Sequence, residues 1–114
     1  MYEYKIKTID HIVDGDTFDC TVDLGFNISH KIRVRMYGIN TPESRTRDLE
    51  EKARGKAAKA RLLELLNDCG RKIVLRTTKR GKYGRILGKL LHPVTLENFN
   101  QTLLKEGHAT RMVF

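Results

Sequence analysis

Three aspartates crowd the short stretch Val13-Asp14-Gly15-Asp16-Thr17-Phe18-Asp19, and a glutamate, Glu43, closes the segment Asn40-Thr41-Pro42-Glu43. Carboxylates, amide oxygens and backbone carbonyls are the ligands that hard divalent cations take. An EF-hand is excluded: the sixth position counted from Asp14 is Asp19, where glycine is needed, and the twelfth is Gly25, where glutamate is needed. Any metal site here must therefore be assembled from separate segments. Taken alone, Asp14-Gly15-Asp16 reads first as an ordinary hairpin turn.

Arginines supply a second kind of chemistry. Arg33 and Arg35 alternate with Ile32, Val34 and Met36, so both should face away from the apolar residues. A planar guanidinium just upstream of a metal-ligand candidate can hold a phosphate by two points. Arg85 closes Lys82-Tyr83-Gly84-Arg85, in which the glycine permits a turn and the tyrosine offers a ring for stacking. A solvated basic loop would have the same composition. Arg71, Lys72, Arg76, Lys79, Arg80 and Lys82 read as diffuse phosphate attraction. The histidines (His11, His30, His92, His108) lack ligand spacing, and Ser29 and Ser44 sit in no nucleophile elbow.

These groups need a scaffold. Tyr4, Ile6, Ile12 and Val13, then Phe18, Thr21 and Val22, then Ile32, Val34 and Met36 predict a three-strand meander, with a turn at Asp14-Gly15-Asp16 and a protruding loop at 23–27. From Asp48 the period becomes helical, with Asp48 and Glu51 as a capping box, Ala58, Leu62, Leu65, Leu66 and Cys69 on one face and Gly70 as the stop. Two more strands, 72–76 and 86–91, flank a basic loop at 77–85. A second helix runs from about Leu96 to Glu106, turning Phe99, Leu103 and Leu104 inward before Gly107. That order predicts an α+β fold, a five-stranded Greek-key barrel of the OB type with two helices. At 114 residues with 39% hydrophobic content, the chain, 1–114, should form a single domain.

Lys and Arg number 22 against 14 Asp and Glu, a net charge of +8 that favours a polyanionic partner. No apolar run is long enough to cross a bilayer, and the expected setting is intracellular and cytoplasmic. Cys20 and Cys69 lack CxxC spacing and read as two buried thiols, with a disulfide as the alternative.

Together, Val13-Asp14-Gly15-Asp16-Thr17, Arg35 followed by Asn40-Thr41-Pro42-Glu43, and Lys82-Tyr83-Gly84-Arg85 occur in the order and at the spacing of the staphylococcal nuclease family, which the chain resembles over roughly residues 5 to 110. Asn100 and Gly107-His108-Ala109 extend the likeness. The resemblance implies a calcium-dependent nuclease that hydrolyses DNA and/or RNA, releasing the 5′ oxygen and leaving 3′-phosphates. It makes Asp16 and the Thr41 carbonyl calcium ligands, places Glu43 beside the attacking water as general base, and has Asp14 support the site from behind. Arg35 and Arg85 would grip the scissile phosphate, and Lys82 and Tyr83 would contact the nucleotide. Asn40 stands where the family carries a second aspartate ligand, so a neutral amide oxygen replaces an anion. The family's third helix would lie beyond Phe114, which predicts exposed apolar barrel surface covered by self-association or by another protein. The rival readings are a nucleic-acid-binding barrel without turnover and a protein-interaction domain.

Overall fold

The computed structural model describes residues 2–69, 73–80 and 86–112, the side chains of 68, 69 and 78–80 excepted. Strands β1 (Tyr2–Asp14), β2 (Thr17–Asp23) and β3 (Ser29–Met36) form the antiparallel meander. Three irregularities interrupt β1, between Ile6 and Thr8, Ile9 and His11, and Ile12 and Asp14. Bulges bend and twist the strand that carries them. They bury Ile12 and Val13 together, which strict alternation forbids. Tyr2 to Lys5 of β1 pair with β5 (Val74–Arg80), while Lys5 to Asp14 pair with β2.

A short ladder that the sequence does not announce joins β4 (Ile39–Asn40) to β7 (Thr110–Arg111). Strand β6 (Ile86–Leu91) runs antiparallel to β5 and parallel to β3, closing the barrel in the order β1-β2-β3-β6-β5. This is the α+β, OB-type five-stranded barrel expected. The barrel's fourth strand reaches further than its sequence suggests: β5 continues to Arg80, because a register shift between Thr77 and Lys79 keeps it in the ladder with Arg80 opposite Ile86. Gly70, Arg71, Lys72 and the motif Lys82-Tyr83-Gly84-Arg85 lie outside the described residues, as do the side chains of Cys69, Lys79 and Arg80.

Helix α1 (Leu49–Cys69) starts where the cap predicts. The Asp48 carboxylate accepts the N–H groups of Glu50 (3.0 Å) and Glu51 (3.2 Å). Only that half of the capping box forms, since the Glu51 carboxylate accepts the backbone N–H of Glu43 at 3.4 Å instead. Leu62, Leu65 and Leu66 are buried in one core cluster with Phe18, Val34 and Leu75, and buried Ala58 packs against Gly15. Cys20 is a free, buried thiol, and burial pushes its pKa up to about 12, with the charges of Asp10 and Asp19 adding to the effect.

Helix α2 (Phe99–Lys105) begins later than the apolar pattern suggests, because Leu96 is left-handed (φ 61) and Asn98 supplies the cap. Its inward face is Phe99, Asn100 and Leu103, with Leu104 half-buried. Arg61 forks onto Glu106 at 2.6 and 2.9 Å, tying α1 to the end of α2 and holding the Glu106 carboxyl below its usual range.

Asn100 is the polar residue that locks α2 to the barrel. Its side-chain oxygen accepts the N–H of Leu90 (3.2 Å), and its amide donates to the carbonyls of Tyr37 (2.8 Å) and Gly88 (3.2 Å). An apolar side chain of similar size removes all three bonds at a buried position. Asn100→Leu should therefore cost about 2 to 4 kcal/mol, read from urea unfolding. A change within about 0.5 kcal/mol would show that these bonds do not hold the helix.

Candidate active site

The tight turn between β1 and β2 sends its carboxylates in different directions. Asp19, which the sequence groups with the other two, points away and forks onto Arg33 at 2.7 and 3.0 Å on the barrel exterior. Hydrogen bonding to that guanidinium lowers its pKa. Position in the ladder decides this, since Asp19 is paired directly with Arg33 in β3.

Asp16 turns inward and is nearly closed off from water. One of its oxygens accepts the backbone N–H of Thr41 (2.8 Å), the other the hydroxyl of Thr17 (2.9 Å). Arg35 lies 3.4 Å from the first of these oxygens. The Asp16 carbonyl accepts the N–H of Met36 at 2.7 Å, so backbone and side chain together clamp the turn to β3 and to the segment after β4. Burying opposite charges is costly unless they are paired and hydrogen-bonded, and here they are both.

Arg35 keeps the side of β3 that alternation predicts, the same as Arg33, but unlike Arg33 it is closed off from solvent. It is only 8% exposed. Its guanidinium donates to the Met36 carbonyl (3.0 Å) and to the Asn40 side-chain oxygen (3.3 Å), and it contacts the Met112 sulfur at 3.4 Å. The cover comes from the Asp16 turn and from the segment after α2, folded back by the β4–β7 ladder and by the Met112 N–H on the Gly38 carbonyl (2.9 Å). Arg76, read from the sequence as diffuse phosphate attraction, is engaged by Glu3 at 2.6 Å.

Asp14 clasps the loop that carries Glu43. Its carboxylate accepts the Ser44 N–H (3.0 Å) and lies 2.6 Å from the Ser44 hydroxyl, which is also 3.2 Å from the Val13 carbonyl. The Glu43 side chain is left exposed, while Ser44 beside it is buried. Beneath the loop runs α1 at Gly55. A methyl group at that position would strike the Glu43 carbonyl group and come within 2.7 Å of the Ser44 nitrogen. Ser44, Gly55 and Met112 are the positioning residues that sequence reasoning missed. Gly55 alone carried a signal, since a glycine inside a helix costs about 1 kcal/mol against alanine and asks for a packing reason.

Gly55→Ala provides a test of that arrangement. At an ordinary helical site the change adds stability. Here the methyl must push the Glu43–Ser44 backbone off its seat, so thermal stability should fall and any turnover should drop about tenfold to a hundredfold with helix content unchanged. A more stable and equally active variant would refute the close approach.

Asp16, Asn40 and Thr41 offer a carboxylate, an amide oxygen and a backbone carbonyl, all hard oxygens of the type calcium takes. Asp16 and Asn40 both touch the same guanidinium, and a carboxylate with about four acceptor positions retains room beyond the three donors it meets. The Thr41 hydroxyl, buried beside them, has no hydrogen-bond partner among the described residues. Among the described residues no three His, Cys, Asp or Glu side chains converge. The donors thus fit a hard divalent cation in kind, with little anionic charge to hold it.

A closed OB-type barrel with an acidic turn, a buried arginine and a clasped glutamate loop defines the class of protein to which the chain belongs. It is a member of the staphylococcal nuclease homologue family, whose family model matches residues 33–114. That match takes in Arg35, Asn40, Thr41, Glu43 and the segment containing Lys82, Tyr83 and Arg85. Asp14 and Asp16 precede it and join the site through the contacts above. No curated protein matches the chain. No helix among the described residues is long and apolar enough to cross a membrane.

Proposed function

We propose that this protein is a calcium-dependent nuclease, hydrolysing phosphodiester bonds of DNA and/or RNA with the 5′ oxygen leaving. The observation that carries the reading is the division of labour around one turn: Asp16 joins Arg35 to Thr41, while Asp14 secures the loop presenting Glu43 to solvent. A protein that only binds nucleic acid has no use for a carboxylate on a loop clasped to the same turn that holds a buried arginine. For that reason the nuclease reading is preferred to a binding module on the same barrel.

Glu43 accepts a proton from the attacking water, a task suited to an exposed carboxylate on a fixed backbone. Arg35 meets the charge that builds on the phosphate, its fork held in advance by Met36 and Asn40 so that little reorganisation is needed. Arg85, Lys82 and Tyr83 are assigned by family likeness to the second phosphate contact and to the nucleotide. Held by Asp16, Asn40 and the Thr41 carbonyl, calcium would supply positive charge against the phosphate and polarise water.

Incubation with plasmid, single-stranded DNA and RNA, in calcium, magnesium or chelator, tests the reading directly. Calcium-dependent cleavage is expected. Binding without cleavage in every condition would move the protein to the binding-module class.

Asn40→Asp should tighten calcium binding. A unit charge near the ion is worth roughly 4 kcal/mol at 4 Å and an effective dielectric of 20. Repulsion from Asp16 and dehydration of the new carboxylate oppose it, and Arg35, 3.3 Å from the present oxygen, would compete for the charge. A net gain of about 1 to 2 kcal/mol corresponds to a five- to thirtyfold tighter constant, measurable by calorimetry without substrate. Unchanged calcium binding would remove residue 40 from the ligand set.

A further inference from the structure

Between β1 and α1 lies a cleft of about 780 Å³. Half-buried Ile9 and the partly exposed Leu63 lie in it, and Lys7, Lys56 and Lys59 line it as well. None of these lysines forms an ion pair among the described residues. Asp10 also lines the cleft, and its two oxygens accept the hydroxyls of Thr8 and Thr21, each at 2.8 Å.

The cleft is linked to the site already described through two of its lining residues, Ile12 and Lys56. Ile12 stands two residues before Asp14, which clasps Ser44, and Lys56 follows Gly55, on which the Glu43 backbone rests. A cleft with apolar surface and lysines that form no ion pair among the described residues matches a chain of phosphates linked by less polar sugars and bases.

We infer that this cleft is the track along which a polynucleotide strand continues from the phosphate held near Glu43, with its phosphates against Lys7, Lys56 and Lys59 and its sugars and bases over Ile9 and Leu63. The inference deepens the nuclease reading and rests on it for the near end of the strand. An acidic peptide would suit the same charges, but the junction with the Glu43 loop favours the nucleic acid.

Fluorescence anisotropy with a labelled oligothymidylate in chelator measures strand binding without turnover. Replacing Lys7, Lys56 and Lys59 together by glutamine should weaken binding about tenfold and flatten the logarithmic salt dependence by about 2, the loss expected for three phosphate contacts to a single strand. Leu63→Glu, an exposed helix change that adds an anion to the cleft, should weaken it independently. A control triple at the exposed Lys5, Lys31 and Lys105 removes the same net charge and should leave affinity within about twofold. Cleavage of a dinucleotide, too short to enter the track, should be unchanged in the cleft triple.

Equal losses in the two triples would reduce the effect to net charge and overturn the track. Parent-like strand affinity in the cleft triple, with loss of acidic-peptide binding instead, would assign the cleft to a protein partner and overturn it as well. If no substrate is cleaved but the cleft triple loses strand affinity as expected, the nuclease reading fails and the binding track stands. If dinucleotide cleavage is normal and the cleft triple binds strands like the parent, the nuclease reading stands and the track fails.

Discussion

Glu43→Gln should lose most cleavage, about a hundredfold or more, while nucleic-acid affinity stays close to that of the parent. The substitution nearly preserves size and removes the carboxylate's charge and with it the ability to accept a proton. The surrounding contacts make it a clean probe. The loop is held through backbone and neighbour, by Asp14 on Ser44 and by Glu51 on the Glu43 N–H, and the Glu43 side chain is exposed. Losing its charge should therefore disturb neither fold nor loop. Single-turnover cleavage at saturating calcium, with binding measured in chelator, separates the two quantities. Near-parental turnover would remove Glu43 from the chemistry.

Arg35→Lys is expected to cut turnover about a hundredfold or more although the charge is retained. The guanidinium serves several partners at once: the Met36 carbonyl, the Asn40 oxygen and the Asp16 carboxylate. An ammonium can keep the ion pair with Asp16 but cannot hold this planar set. The turn, the residue 40 side chain and the guanidinium edge proposed to meet phosphate would then no longer be fixed to one another. Because Arg35 is buried, thermal unfolding and far-UV dichroism must accompany the kinetics. A folded variant with parental turnover would show that the planar fork is not required. A folded variant that loses turnover but keeps strand affinity would place the role of Arg35 in the transition state.

Much of the fold could be read along the chain because it is encoded locally. Alternation gave β2 and β3, the Asp48 cap and the spacing of Ala58, Leu62 and Leu65 gave α1, and Gly107, with φ +81, ends the second helix as expected. The motif order was likewise sufficient to place the chain in its family. Contacts between residues far apart decided the rest. Burial of Arg35 depends on Met112, 77 positions away, so β3's own alternation could not reveal which part of one strand face would be covered. The three aspartates look equivalent in sequence. Register gives Asp19 to Arg33, a clamp across the barrel gives Asp16 to Thr41, and the returning loop gives Asp14 to Ser44. Side-chain type determined which chemistry was available, and tertiary closure determined which carboxylate faced which partner, because hydrogen bonds and ion pairs depend on separation in space and not on distance along the chain.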